Sequence, residues 1–223
     1  MPRLISAPTA RPSAGRVLVL LLIAAVGVIG VRALLVQSFV IPTSSMSPAL
    51  KPEQRVLVWR LGRGVEDLRR GDVIVFDGTG VFVAEPPPAR TALAGLGRSL
   101  AAVIGLPVGR SDFAKRVIGL PGERVTCCDA DGRITVDGVP LEEPYLAARG
   151  PASESKFDIR VPEGRLWVMG DNRSDSADSR AHLGDPGGGT VPVDNVVGRV
   201  IAIWWPAGDL TRVSRGAGQE GTR

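Results

Sequence analysis

Residues 113–146 read FAKRVIGLPGERVTCCDADGRITVDGVPLEEPYL. Three short runs in this stretch, Lys115–Ile118, Arg124–Cys127 and Arg133–Val136, are rich in β-branched residues. They are punctuated by Pro121-Gly122, Asp131-Gly132 and Asp137-Gly138. Runs of this length and composition, cut by Pro-Gly and Asp-Gly pairs, read as strands joined by tight turns. Working outward, Arg55–Trp59, Asp72–Phe76, Leu166–Met169 and Val196–Trp204 repeat the pattern, with further turn signals at Arg70-Gly71 and Glu163-Gly164. Many short strands with few helical periods imply a mainly β domain, a small sandwich or barrel-like fold.

Before this domain the pattern changes. Val17 to Val36 is VLVLLLIAAVGVIGVRALLV, with one charge, Arg32, near its end. As a helix, twenty such residues cover about 30 Å, the hydrocarbon thickness of a bilayer. The run exceeds the roughly 7 to 15 residues of a cleaved signal's apolar region, and no small-x-small pair follows it directly. An uncleaved transmembrane anchor is therefore expected at 17–36. Arg3, Arg11 and Arg16 precede it, and the first acid is Glu53. The positive-inside rule then puts residues 1–16 in the cytoplasm as a short tail and residues 37–213 outside as the exported domain.

The net charge of +4 over 223 residues is located there too: four of the 27 basic residues lie before residue 37, and the remaining 23 meet 23 acids. A nucleic-acid-binding domain would carry a basic surplus of its own, so no nucleic-acid partner is expected. Residues 91–109, TALAGLGRSLAAVIGLPVG, follow a Pro-rich break at Glu85–Pro88. They are expected to form an apolar insertion at about 85–110, either a short helix or loop on the membrane surface or a flexible segment without a role. Ser214–Arg223 is polar and Gly-rich and is expected to be disordered.

With one histidine, His182, and two adjacent cysteines, Cys127 and Cys128, the chain cannot assemble a zinc site from cysteine and histidine, and no metal is expected. Adjacent cysteines form a disulfide only in a strained geometry, so two free thiols or an intermolecular contact are expected. A Ser-His-Asp triad would have to use His182, which lies in a loop with no nucleophile motif beside it.

Lysine is rare, at Lys51, Lys115 and Lys156, so a mechanism that requires one has three candidates. Ser45 sits in FVIPTSSMSPALKP, a Ser/Thr cluster bracketed by prolines, and a serine becomes a useful nucleophile only when a base takes its proton. Lys115 opens a run where Phe113, Ala114, Val117 and Ile118 would surround it, and burial lowers a lysine's pKa toward the neutral form a base requires. A third segment, MGDNRSDSADSRAHLG, packs hydroxyls and carboxylates behind an apolar strand, and its Asp178 and Arg180 can lock the loop by a bidentate pair.

IPTSSMSPAL, LRRGDVIVF, KRVIGLPGERV and MGDNRSDSADSR occur in that order after an N-terminal span, and together they resemble bacterial type I signal peptidases. The hairpin-like ITVDGVPLEEPYL is similar to that family as well. The resemblance implies a β-rich catalytic domain and a Ser/Lys protease, without metal or organic cofactor, that frees exported precursors from their signal peptides at the membrane. It implies Ser45 as nucleophile, Lys115 as general base, and Thr43 with the Ser45 N–H as oxyanion donors. Ser176 would orient the lysine, with Asp178 and Arg180 as the supporting pair. Phe39, Ile41, Pro42, Met46, Leu50, Phe113 and Ala114 fall where the family lines its pockets for small side chains. Ser44 stands where glycine is frequent, Ala114 replaces what is often a larger aliphatic residue, and Ser174 and Asp175 differ from the most familiar version of the last segment. The short interval before that segment leaves no room for a large accessory β-domain. Alternatives are another Ser/Lys processing peptidase and a catalytically silent membrane-anchored binding protein.

Overall fold

The computed structural model describes residues 14–60, 64, 66–84, 111–146, 150–206 and 211–213. The expected insertion at 85–110, the tail at 214–223 and most of the tail at 1–16 lie outside these residues. The chain divides into two units, Met1–Val36 and Gln37–Arg223.

The first unit is a helix, α1 (Ala14–Leu35), which begins three residues before the expected span and yields Val36 to the following strand. Leu, Val, Ile and Ala occupy its whole circumference, so it has no polar face to present to water. The side chains from Val17 to Ile23 are exposed, Leu20 at 64%. Side chains are described without interruption only over residues 15–24, and among the described residues no helix is long and apolar enough to cross a membrane.

The second unit is built on two antiparallel sheets. Its strands are β1 (Val36–Val40), β2 (Arg55–Trp59), β3 (Val73–Asp77), β4 (Asp112–Gly119), β5 (Arg124–Cys127), β6 (Ile134–Val136), β7 (Val139–Pro140), β8 (Phe157–Arg160), β9 (Arg165–Met169), β10 (Val191–Pro192), β11 (Val196–Trp205) and β12 (Thr211–Arg212). The larger sheet runs β1-β2-β11-β3-β4-β9-β10, with β12 also on β11, and the smaller runs β7-β6-β5-β8.

The mainly β expectation therefore holds, and β2 and β5 have the expected bounds. Strands β7, β10 and β12, of two residues each, carry too few residues for a period to register, and they form against longer neighbours. β4 extends beyond the expected Lys115–Ile118 in both directions, because β3 pairs along its first half, from Asp77 opposite Asp112 to Val73 opposite Arg116, and β9 along its second, with Trp167 opposite Gly119.

Strand β3 explains how the large sheet is covered. Val73 and Val75 face one way into a cluster with Ile41, Met46, Val56 and Val200, while Ile74 and Phe76 face the other way into a cluster with Val117, Leu166 and Val168. Alternate side chains leave opposite faces of a strand, so the unbroken apolar run VIVF is what a strand buried on both sides requires. The third cluster, with Ile118, Val125, Ile134, Phe157 and Trp167, joins the small sheet to β4 and β9.

The turn signals act through backbone conformation. Between β6 and β7, Asp137 has φ 50° and Gly138 has φ 80°, the pair of positive φ values a two-residue hairpin turn needs. At Pro121-Gly122, Gly122 has φ 82° and the Glu123 N–H donates to Leu120 O, a type II turn between β4 and β5.

One expectation is corrected. Cys127 and Cys128 are joined to each other as a disulfide rather than held as thiols. They sit at the end of β5, where Cys127 is buried against the Ile134 and Phe157 cluster.

Candidate active site

The loop between β1 and β2 carries Ser45. Ile41 N–H donates to Gln54 O and Glu53 N–H to Ile41 O, which closes the loop at its base, and Leu50 N–H donates to Met46 O within it. Met46 and Leu50, 1% and 0% exposed, pin the loop to the core, so Ser45 between them and the surface is held, not waving.

Lys115 arrives from the middle of β4, opposite Ile74, and is 3% exposed. Its Nζ lies 2.7 Å from Ser45 Oγ and donates to it, across 70 residues of sequence. Thr43 Oγ1 is 3.2 Å from the same Oγ. Removal from water brings the Lys115 ammonium down from 10.5 to about 8, Asp178 opposing and Arg180 assisting. A sizeable neutral fraction near neutral pH is what a base for a serine hydroxyl requires.

The segment after β9 closes over this pair. Asp178, fully buried, accepts from the Gly170 N–H at 2.9 Å and from Arg180 Nε and Nη2, both at 2.8 Å. Burial pushes this carboxyl up, but the bonds and charge of Arg180 and the Gly170 N–H outweigh it and hold Asp178 below the usual carboxylate range. Arg180 Nη2 also donates to Arg173 O, so the expected pair does lock the loop.

Ser176 is brought to the site without the expected bond to the lysine. Its Oγ is buried with no hydrogen-bond partner among the described residues, although it lies near enough to Asp178 to favour the ionised carboxylate.

Gly170 was not singled out in the sequence. A Cβ placed there would overlap both Ser176 Oγ and the Ser45 carbonyl oxygen, so only glycine lets the two segments meet. Arg116, one residue past the lysine, donates from Nε and Nη2 to Asp171 at 2.7 and 2.6 Å, and from Nη1 to Gly71 O. Its guanidinium lies 4.0 Å over the Tyr145 ring, and Arg173 pairs with Glu143, which accepts from Tyr145 Oη. Burial raises Asp171 against the pull of Arg116. No local pattern marks this scaffold, because its charges lie on β4, after β7 and after β9 and meet only in the fold.

The expected pocket wall separates. Phe39 and Ala114 are half-buried and pack on the Ile41 and Met46 cluster beside Ser45, and Pro42 is exposed. Leu50 is wholly buried behind them. Phe113 faces the opposite side of the large sheet, stacked on Phe76 at 5.8 Å and edge-on to Phe82 at 5.5 Å.

A serine hydroxyl bonded to a buried, pKa-lowered amine within a β domain describes a hydrolase. The chain belongs to the signal peptidase family, peptidase S26, whose description matches residues 14–205. It is accordingly a serine endopeptidase of the type I signal peptidase kind. It is 36% identical over 197 residues to a probable signal peptidase I of Mycobacterium leprae, covering 75% of this chain and 68% of that one. It is 38% identical over 190 residues to a signal peptidase I of Mycobacterium tuberculosis, 75% of this chain and 64% of the relative. Signal peptidase I U of Bacillus subtilis is 29% identical over 201 residues, 87% and 88% of the two chains. A solved signal peptidase I from Enterococcus faecalis aligns at 28% identity over 59% of this chain and 95% of its own, with a TM-score of 0.38.

Proposed function

We propose that this chain is a membrane-anchored endopeptidase that removes signal peptides from exported precursors, with Ser45 as nucleophile and Lys115 as general base. The observation that carries the reading is the 2.7 Å bond from Lys115 Nζ to Ser45 Oγ at a lysine brought down to about 8.

Neutral Lys115 takes the Ser45 proton as Oγ attacks the scissile carbonyl carbon. The oxyanion accepts from the Thr43 hydroxyl and the Ser45 N–H, a kind of donor whose loss costs about 10²- to 10³-fold in rate. The Lys115 ammonium gives its proton to the departing amine as the C–N bond breaks. Water, deprotonated by the same lysine, then cleaves the acyl ester and restores both side chains. Each step moves one proton to or from Lys115, and the cycle uses no metal or organic cofactor. Phe39, Ile41, Met46 and Ala114 bound the side of the nucleophile where small residues one and three before the cut would fit.

Helix α1 anchors the domain by its apolar circumference, and the basic N-terminus keeps residues 1–16 in the cytoplasm. The catalytic domain is then extracytoplasmic, with membrane lipid and signal-peptide-bearing precursors as its partners. Trp204 and Trp205, 37% and 48% exposed at the end of β11, are the residue type that favours a membrane interface.

The test is incubation of the detergent-solubilised chain with a signal-peptide-bearing precursor and mapping of the cut. Cleavage after a small-x-small site, abolished in Ser45→Ala and in Lys115→Met but retained in Lys51→Met and Lys156→Met, is the expected result. Turnover by Lys115→Met at the unsubstituted rate overturns the reading.

A further inference from the structure

The loop that presents the nucleophile is held from outside by a second loop, residues 172–175. Asp175 N–H donates to Asn172 O and closes that loop as a turn. Asn172 in turn clasps the nucleophile loop, its N–H donating to Ser45 O at 3.1 Å and its Nδ2 to Ser44 O at 3.4 Å. The outermost connection is made by side chains: Ser44 Oγ donates to Asp175 Oδ2 at 2.5 Å, across 131 residues of sequence.

This connection alone in the clasp carries a formal charge. Of the acids that act on Lys115, Asp178 is neutralised by Arg180 and Asp171 by Arg116, whereas Asp175 forms no ion pair among the described residues. Arg180 is the cation facing the lysine. Asp175 acts least on Lys115 of these acids, and its hydrogen bond holds the residue next to the nucleophile.

We propose that Ser44 and Asp175 form a positioning tie for the reaction, a hydrogen bond that fixes the pose of the Ser45 loop and holds the Asp175 carboxylate against it. The tie rests on the proposed Ser45 and Lys115 roles. Neither residue is a catalytic residue: Asp175 acts through Ser44.

Substitution separates the bond from the charge. Asp175→Asn keeps an acceptor for Ser44 Oγ and removes the charge, and its plateau rate stays close to that of the unsubstituted chain. Ser44→Ala and Asp175→Ala each lose the bond and slow the plateau about 3- to 10-fold, the scale of about one exposed hydrogen bond. Their double variant is no slower than either single one, and Ser44→Thr, which keeps a hydroxyl, recovers most of the rate.

All are measured on the full chain in detergent with a precursor substrate, alongside thermal melting to establish that each variant is folded. Losses that multiply in the double variant overturn the tie. Lys115→Met in the same series separates the two proposals: activity there removes the dyad, whereas an inactive Lys115→Met with losses that multiply in the double variant removes only the tie.

Discussion

At the scale of single residues, the burial of Lys115 carries a cost in stability. Its folded pKa of about 8 lies below the ordinary 10.5, so the unfolded chain binds the proton more tightly. At pH 7 this opposes folding by about 3 kcal/mol, at about 1.36 kcal/mol per unit, and stability rises with pH between about 8 and about 10.5 as the unfolded chain loses its advantage. Lys115→Met is therefore expected to melt higher than the unsubstituted chain near neutral pH while losing turnover, and the gap should close toward pH 10; a melting series over pH checks both. By the same lysine, kcat/KM should rise with pH on a limb centred near about 8, since the neutral amine is the working form. Thr43→Val should reduce turnover about 10²- to 10³-fold with unchanged melting, and Thr43→Ser should restore most of it. Thr43, Ser45 and Lys115 were legible in the sequence because their neighbours form distinctive segments. The state of Cys127 and Cys128 was misread, since a general rule about adjacent cysteines says nothing about the particular site at the end of β5.

At the scale of elements, the site depends on the Ser45 loop and the segment after β9 meeting within one atom's width. Gly170 ends β9 where a Cβ would overlap Ser45 O and Ser176 Oγ. Gly170→Ala should leave the sheets intact by circular dichroism and lower kcat by about 10²-fold or more, the scale expected when reacting groups are displaced by about 1 Å. The segment after β9 is also tied to β4 by Arg116 and Asp171, 1% and 0% exposed. Arg116→Met leaves Asp171 buried and unpaired, and a loss of about 3 to 5 kcal/mol in denaturant unfolding is expected, with part recovered on adding Asp171→Asn. The strands in this neighbourhood were readable from β-branched runs and Pro-Gly or Asp-Gly breaks, whereas β8 and β10 were not. Phe157–Arg160 includes two charges in four residues, and Val191–Pro192 is too short for any period, so both owe their pairing to the strands beside them.

At the scale of the whole molecule, an apolar helix precedes a β domain, and the orientation proposed for them across a membrane is a measurable matter. Reporter fusions or protease protection in cells should place residue 10 inside and residue 150 outside; a cytoplasmic C-terminus would contradict the arrangement of basic residues before α1. The sequence by itself determined the helix and the mainly β class, and it marked Ser45, Thr43, Lys115, Asp178 and Arg180 as candidates, because each lies in a local run or a compact segment. Only the tertiary structure decided what depends on distance: the 2.7 Å bond between Lys115 and Ser45, the glycine that lets the segment after β9 approach the Ser45 carbonyl, the Arg116 and Arg173 scaffold, and the Ser44 to Asp175 bond. It also sent Phe113 to the far face of the sheet and Leu50 behind the pocket wall. The physical reason is that local sequence sets backbone preference and apolar period, whereas burial and electrostatics arise from segments as many as 131 residues apart that the fold brings into contact.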